Sequence, residues 1–148
     1  NRTGLMWEKK SDDGGIHDKD NKYTWGQSVS PPAMNGTMVT TFLAALNTAP
    51  CFAGYCDWRI PNITELVSLK NYETIYPATF SAFDTGCTAG CTVTACSCTG
   101  SSTYYYYWSS STSRDGPDYA WGVYFATGND NFAPKTSGYY VRAVRGGF

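Results

Sequence analysis

The sequence has little charge and almost no histidine. Lys and Arg number 11 and Asp and Glu 12 in 148 residues, giving a net charge of −1 and a pI of about 5.7. That balance leaves no electrostatic footprint for nucleic acid or an anionic membrane, so neither is expected as a partner. No basic cluster stands out beyond Lys9-Lys10, Arg142 and Arg145. No apolar run approaches the roughly 20 residues of a membrane span, so no membrane insertion by this domain is expected. With one histidine, His17, and no Gly-x-Ser-x-Gly elbow, nucleophilic catalysis lacks its usual parts. No secretory leader opens the sequence. Thr3 to Trp7 already reads as strand, so a mature or trimmed fragment is expected.

What is present is aromatic and turn-rich: 12 Tyr, 5 Trp and 15 Gly. This favours many short strands and turns over long helices. The length suits a single domain over 1–148. Six cysteines, at 51, 56, 87, 91, 96 and 98, allow 15 pairings, among which sequence does not choose. Cys51 and Cys56 flank Phe-Ala-Gly-Tyr and suit a small closed loop. The other four lie in a Cys/Gly/Thr-rich loop insertion at about 84–103. Cys87-x3-Cys91 and Cys96-x-Cys98 lack metal-ligand spacing, so no metal is expected there. A disulfide-stapled loop in an oxidising compartment is expected instead, and with it a secreted or cell-surface location. Asp12, Asp13, Asp18 and Asp20 sit in a polar loop without the glycine and terminal glutamate of an EF-hand, so a solvated loop is expected there. His17 falls in the same stretch.

The densest local signal is Asp57 to Leu66. Asn62 is an N-cap, Glu65 stands where its side chain can reach back to the cap, and Pro61 keeps Ile60 extended. Pro61 and Leu66 hold the positions of a hydrophobic staple. A chain arriving through Trp58 therefore turns and enters a helix of roughly 63–70. Asp57 and Glu65 could form a catalytic carboxylate pair, but their surroundings point to structural roles. Arg59, Arg142 and Arg145 are expected to tie this corner and the terminal strand by salt bridges. An earlier helix over Thr37–Leu46 carries the stripe Met38, Phe42, Ala45 and Leu46, with Asn35 or Thr37 as its cap, after a break at Pro31-Pro32.

Strands are expected at 3–9, with Leu5 and Trp7 on one face, and at 104–108, with Tyr104, Tyr106 and Trp108 opposite Tyr105 and Tyr107. Another is expected at 120–126, with Trp121, Val123 and Phe125 on one face. Gly128 to Asn131 suggests a turn, and 139–145 a final strand. The fold class is α+β, with two helices packed on a twisted antiparallel sheet.

Four separated pieces carry a family resemblance. They are Thr3-Gly4-Leu5-Met6-Trp7; Phe52-Ala53-Gly54-Tyr55 with Asp57-Trp58-Arg59-Ile60-Pro61-Asn62 and Glu65-Leu66; Tyr107-Trp108-Ser109-Ser110; and Val141-Arg142-Ala143-Val144-Arg145-Gly146-Gly147. In this order they resemble the Lcl C-terminal domain, found at the end of bacterial collagen-like adhesins. The resemblance implies a C-type-lectin-like fold, related to formylglycine-generating enzymes and retroelement variable proteins. It further implies paired terminal strands, long ordered loops, a secreted or surface-attached parent, adhesion, and a homotrimer as the assembly. The calcium–sugar triplets of true C-type lectins are missing. Pro61-Asn62 follows Ile60, and Asn129-Asp130 follows Gly128. No cofactor is therefore expected.

The leading functional expectation is a non-catalytic recognition module for a protein or carbohydrate ligand, acting as an adhesin or as a retroelement-diversified receptor. Tyrosine offers large amphipathic contact area, and Ser, Asn and Gly adapt their hydrogen bonds. The candidate surface is Tyr105, Tyr106, Ser111, Ser113, Arg114, Asp118, Tyr119, Tyr124, Asn129 and Asn131. Structural roles fall to Trp7, Cys51, Cys56, Asp57, Trp58, Arg59, Pro61, Asn62, Glu65, Trp108, Arg142 and Arg145. The alternatives are an oxidase related to formylglycine-generating enzymes, which would need a thiol pair, and a fibre-head assembly domain.

Overall fold

A computed structural model describes residues 3–27, 33–102 and 104–147; Pro31 and Pro32 lie outside them. The architecture is α+β with antiparallel sheets, as expected. Strand β1 (Leu5–Trp7) pairs with the last strand, β7 (Val144–Gly146), in the register Leu5 to Gly146. Strand β2 (Tyr23–Thr24) pairs with β6 (Gly138–Tyr139). The main sheet has the order β3 (Tyr107–Thr112), β4 (Tyr119–Tyr124), β5 (Asn129–Pro134). Among the described residues no helix is long and apolar enough to cross a membrane.

Consecutive strand residues point to opposite faces, and this is how the aromatic run is used. Tyr107 and Trp108 are both fully buried, one on each side of the main sheet. Trp108 joins Trp25, Met38, Phe42, Leu46, Trp58, Ile60 and Val141 in one core. Tyr107 joins Leu66, Leu69, Val123, Phe125 and Tyr140 in the other, beneath α2 (Ile63–Val67). The strand begins at Tyr107 and not at Tyr104, which is exposed and lies outside it.

Other elements depart from expectation. Residues 38–46 are helical, but Met38–Leu43 is wound as a π-helix before the short α1 (Ala44–Leu46). Met38, Phe42 and Leu46 are buried as expected, whereas Ala45 is exposed. No side chain caps this helix. Thr37 instead exchanges bonds with β2: its Oγ1 accepts from the Thr24 N–H at 2.8 Å, and its own N–H donates to Thr24 Oγ1 at 3.0 Å. A Cβ at Gly36 would collide with the Thr24 and Trp25 backbone, so this approach requires glycine. Helix α2 stops at Val67, short of the expected 70. The turn expected at Gly128 to Asn131 is largely strand, because β5 starts at Asn129. The strand expected over 139–145 is interrupted between β6 and β7, where 140–143 are all buried.

The corner forms as its sequence suggests. Asn62 accepts from the Glu65 N–H and Glu65 from the Asn62 N–H, both at 2.9 Å, completing a capping box. Arg59 forks onto Glu65 at 2.8 and 2.6 Å, and Arg145 onto Asp57 at 2.6 and 3.1 Å. Arg142 corrects the third expected salt bridge. It is fully buried and donates to the carbonyls of Cys98 and Phe83 and to Thr99 Oγ1. It clamps the cysteine tract and leaves the corner to the other two arginines. His17 is likewise no loose loop residue. Its Nδ1 lies 2.8 Å from Glu8 Oε1, and its ring packs 4.0 Å from Phe52. Glu8 itself is buried, holding Lys10 at 3.3 Å and the Ala143 N–H at 2.9 Å.

Candidate functional site

The six cysteines pair as Cys51–Cys56, Cys87–Cys98 and Cys91–Cys96, with no free thiol. The tract they staple docks by main-chain bonds. Cys98 N–H donates to Lys10 O at 2.9 Å and Gly90 N–H to Asp12 O at 2.6 Å. Cys91, Cys96 and Cys98 form a small buried cluster of their own.

Strand geometry divides the ten candidate surface residues into three groups. Directly paired residues share a face of a sheet. Tyr124 opposes Asn129, and Gly122 opposes Asn131, so these two asparagines stand on the side that also carries Tyr106. There the Tyr106 ring meets Tyr124 and Tyr139, both at 5.5 Å. Tyr105 packs 5.6 Å from Tyr140 and lies under the Lys22 ammonium at 3.8 Å. Burial raises the Tyr139 and Tyr140 hydroxyls above the usual phenol range, so this cluster presents neutral hydroxyls at neutral pH. Gly122 is needed here, since a Cβ would stand 2.7 Å from Tyr107 O.

The second group is the hairpin end. Arg114 is exposed. Ser113 is buried, at 4 % exposure, and its N–H donates to Tyr119 O. Ser111 is committed to the scaffold, its Oγ accepting from the Ile63 N–H at 3.0 Å. Asp118 is half-buried, and its Oδ1 has no hydrogen-bond partner among the described residues. Beneath it Lys135 donates to Thr112 Oγ1 and Pro117 O, both at 2.8 Å, over the Trp25 ring. Burial pulls the Lys135 ammonium below the usual lysine range, while the Asp118 charge opposes the shift.

The third group lies on the opposite face, and only one of its members was expected from sequence. That member is Tyr119, which stands beside Trp121 of β4 and Phe132 of β5. Phe132 opposes Trp121 directly, with rings 5.4 Å apart and nearly perpendicular; Tyr119 meets Phe132 at 5.7 Å in the same manner. Tyr119 is 38 % and Phe132 45 % exposed. The Trp121 indole N–H makes no hydrogen bond among the described residues, whereas those of Trp25, Trp58 and Trp108 all do. Trp121 shares its face with Val123, as expected, but is not among the residues packed into the core beneath α2. Phe132 is masked in the sequence by the turn-like Asn-Asp-Asn before it; reading 129–134 as a strand would have placed it opposite Trp121.

Two clusters have metal-like composition. The sulfurs of Cys87, Cys91 and Cys98 lie within 4.8 Å of one another but are consumed in disulfides. The oxygens of Asp12, Asp18 and Asp20 are equally close. Lys19 already contacts Asp12 at 2.8 Å and Asp20 at 2.7 Å, and Asp18 accepts from the Gly14 and Asp20 N–H groups.

No curated protein and no solved structure gives a match to the chain. The family model described as the Lcl C-terminal domain matches residues 1–145, a span that includes the capped corner, the three-stranded sheet and most of the β1–β7 ladder, and the chain belongs to that family.

Proposed function

We propose that the domain is a non-catalytic recognition module of the cell exterior, which holds a protein or glycan ligand on the outer surface of the main sheet. The observation that carries this reading is an aromatic row in which Tyr119 and Phe132 are exposed and Trp121, beside Phe132, is half-buried. Aromatic rings left in water on a rigid sheet offer apolar faces at little entropic cost on binding. Family membership supports a surface, adhesin-type domain. Three disulfides support an oxidising location. Pairing of all six cysteines supports the non-catalytic reading over a thiol-dependent oxidase.

The test is a glycan-plus-protein binding screen on the wild-type domain, followed by single changes of Trp121, Phe132, Tyr106, Arg114 and Asp118 to Ala. Trp121→Ala and Phe132→Ala should each weaken binding at least about tenfold, the size of a hot-spot loss. Full binding by both variants would overturn the placement, and loss at Tyr106 alone would move the site to the tyrosine face. Retroelement diversification belongs to the same proposal. It requires AAY-type codons clustered at the Asn, Tyr, Ser and Asp positions near the 3′ end, beside a template repeat. Assembly as a homotrimer is also part of it, and a strict monomer by light scattering at high concentration would remove that part.

A further inference from the structure

Two disulfide-closed loops of equal length meet over one cavity. Cys51–Cys56 and Cys91–Cys96 each span a sequence separation of 5. Phe52 and Ala53 from the first, and Val93 and Thr94 from the second, line a cavity of about 490 Å³ completed by Met6, Trp7, Lys9 and Trp58. Its size falls within the roughly 300–1,000 Å³ of small-ligand pockets.

The walls are fixed before any ligand arrives. The Phe52 ring lies between His17 at 4.0 Å and Trp58 at 5.2 Å. Trp58 Nε1 donates to Phe52 O at 3.0 Å, and the Asn47 side chain holds both the N–H and the carbonyl of Trp58. Cys51 and Ala53 have φ of 58° and 53°, a region that side-chain-bearing residues rarely adopt. The first disulfide closes this unusual turn and sets Phe52 against Trp58.

Three polar side-chain groups break the apolar lining, of which the Thr94 hydroxyl already meets Thr92 Oγ1 at 2.9 Å. Lys9 is exposed and makes no ion pair or hydrogen bond among the described residues. Its neighbour Glu8 is turned inward to Lys10, His17 and the Ala143 N–H. The Trp7 indole N–H likewise has no acceptor among the described residues, unlike those of Trp25, Trp58 and Trp108. Flat apolar walls, one unpaired cation and one open N–H donor define a complementary chemistry.

We infer that this cavity is a ligand site separate from the sheet surface and that it takes an aromatic carboxylate. The ring packs among Trp7, Phe52 and Trp58, and the carboxylate is held by Lys9 and the Trp7 indole. The inference does not rest on the reading of Tyr119, Trp121 and Phe132.

Calorimetric titration of the disulfide-intact domain with 2-naphthoate, and with 2-naphthylmethanol as its uncharged counterpart, tests it. Saturable one-to-one binding of the acid is expected, with the alcohol about tenfold weaker or more, since a charge-assisted hydrogen bond is lost. Lys9→Gln should weaken the acid about tenfold and leave the alcohol unchanged. Thr94→Trp, from an exposed loop position, should fill the cavity and remove both without lowering the melting temperature. If Thr94→Trp fails to fold, the Lys9→Gln arm decides alone. Absence of saturable binding at millimolar naphthoate, equal binding of acid and alcohol, or a Lys9→Gln variant that binds the acid as wild type would each overturn the inference.

Discussion

The corner at 57–66 and the cysteine tract at 87–98 hold their shapes by different balances of side-chain, main-chain and covalent links. The corner is fastened by side chains whose identities matter: the Asn62–Glu65 box, the Arg59 fork and the Arg145–Asp57 pair. The tract is fastened by two covalent links and by main-chain bonds to Lys10 and Asp12, with Arg142 donating to the Cys98 carbonyl. A main-chain bond is indifferent to the side chain on the residue that makes it. The capping box and the Arg59 fork can be read from a string of letters; the Arg145–Asp57 pair and the docking of the tract on Lys10 and Asp12 emerge only when distant segments meet.

Trp58→Ala should strike hardest. It empties a site at the centre of the larger core and should cost about 3–5 kcal/mol, measured by chemical denaturation. A loss under about 1 kcal/mol would mean that the corner does not organise the fold. Replacing Cys91 and Cys96 together by Ala comes next. Opening so short a loop should cost about 2 kcal/mol, and hydrogen exchange should rise in 87–98 while the corner stays protected. Equal loss of protection in both regions would erase the contrast. Asn62→Ala should cost about 1 kcal/mol, the usual value for a lost N-cap, with exchange rising at α2 and not in the tract.

The smallest effect is acid-dependent. The Arg59 guanidinium holds the Glu65 carboxyl below its ordinary 4.5, and Arg145 holds Asp57 below 3.8. Both folded values are depressed, so the stabilisation is present above the ordinary carboxylate range and is lost as pH falls through the depressed values. These groups are partly exposed, and solvent limits the effect. Glu65→Gln should therefore flatten the fall in melting temperature between pH 5 and pH 3 slightly, as about that window brackets the shift. A variant that falls as steeply as wild type would show that the ion pair is inert.

Legibility in the sequence divides along the same line. The capping box, the buried Trp58 and the stripe Met38, Phe42 and Leu46 can be read because each is set within a few residues. Ala45 falls off the stripe because the π-helical winding of Met38–Leu43 shifts the angular spacing of the residues after it. Strand β5 is obscured because Asn and Asp favour turns, yet pairing along the whole of β4 outweighs that preference. Arg142 looks like its neighbour Arg145, and nothing local tells a carbonyl clamp from a salt bridge. Of the candidate surface, Tyr119, Arg114, Asn129 and Asn131 are the well-exposed members or stand at the open edge of the sheet. Polarity alone put Ser113 and Ser111 among the candidates, but a hydroxyl serves a hairpin or a helix start as readily as a ligand. Trp121 and Phe132 are hard to foresee because a sheet face is covered only as far as its helix extends.

The ladder between β1 and β7 has a mechanical consequence. Strand β7 is gripped on its other side as well, since the Arg59 and Val144 main chains exchange two bonds at 2.9 Å and the Arg59 guanidinium reaches Gly146 O. Tension applied between residues 5 and 146 meets the ladder at its open end and peels it rung by rung, a weak direction. Tension applied between residue 146 and the β4–β5 hairpin must instead draw β7 out from between two partners at once, the β1 ladder and the Arg59 main chain. The same strand is thus compliant to one pull and stiff to the other.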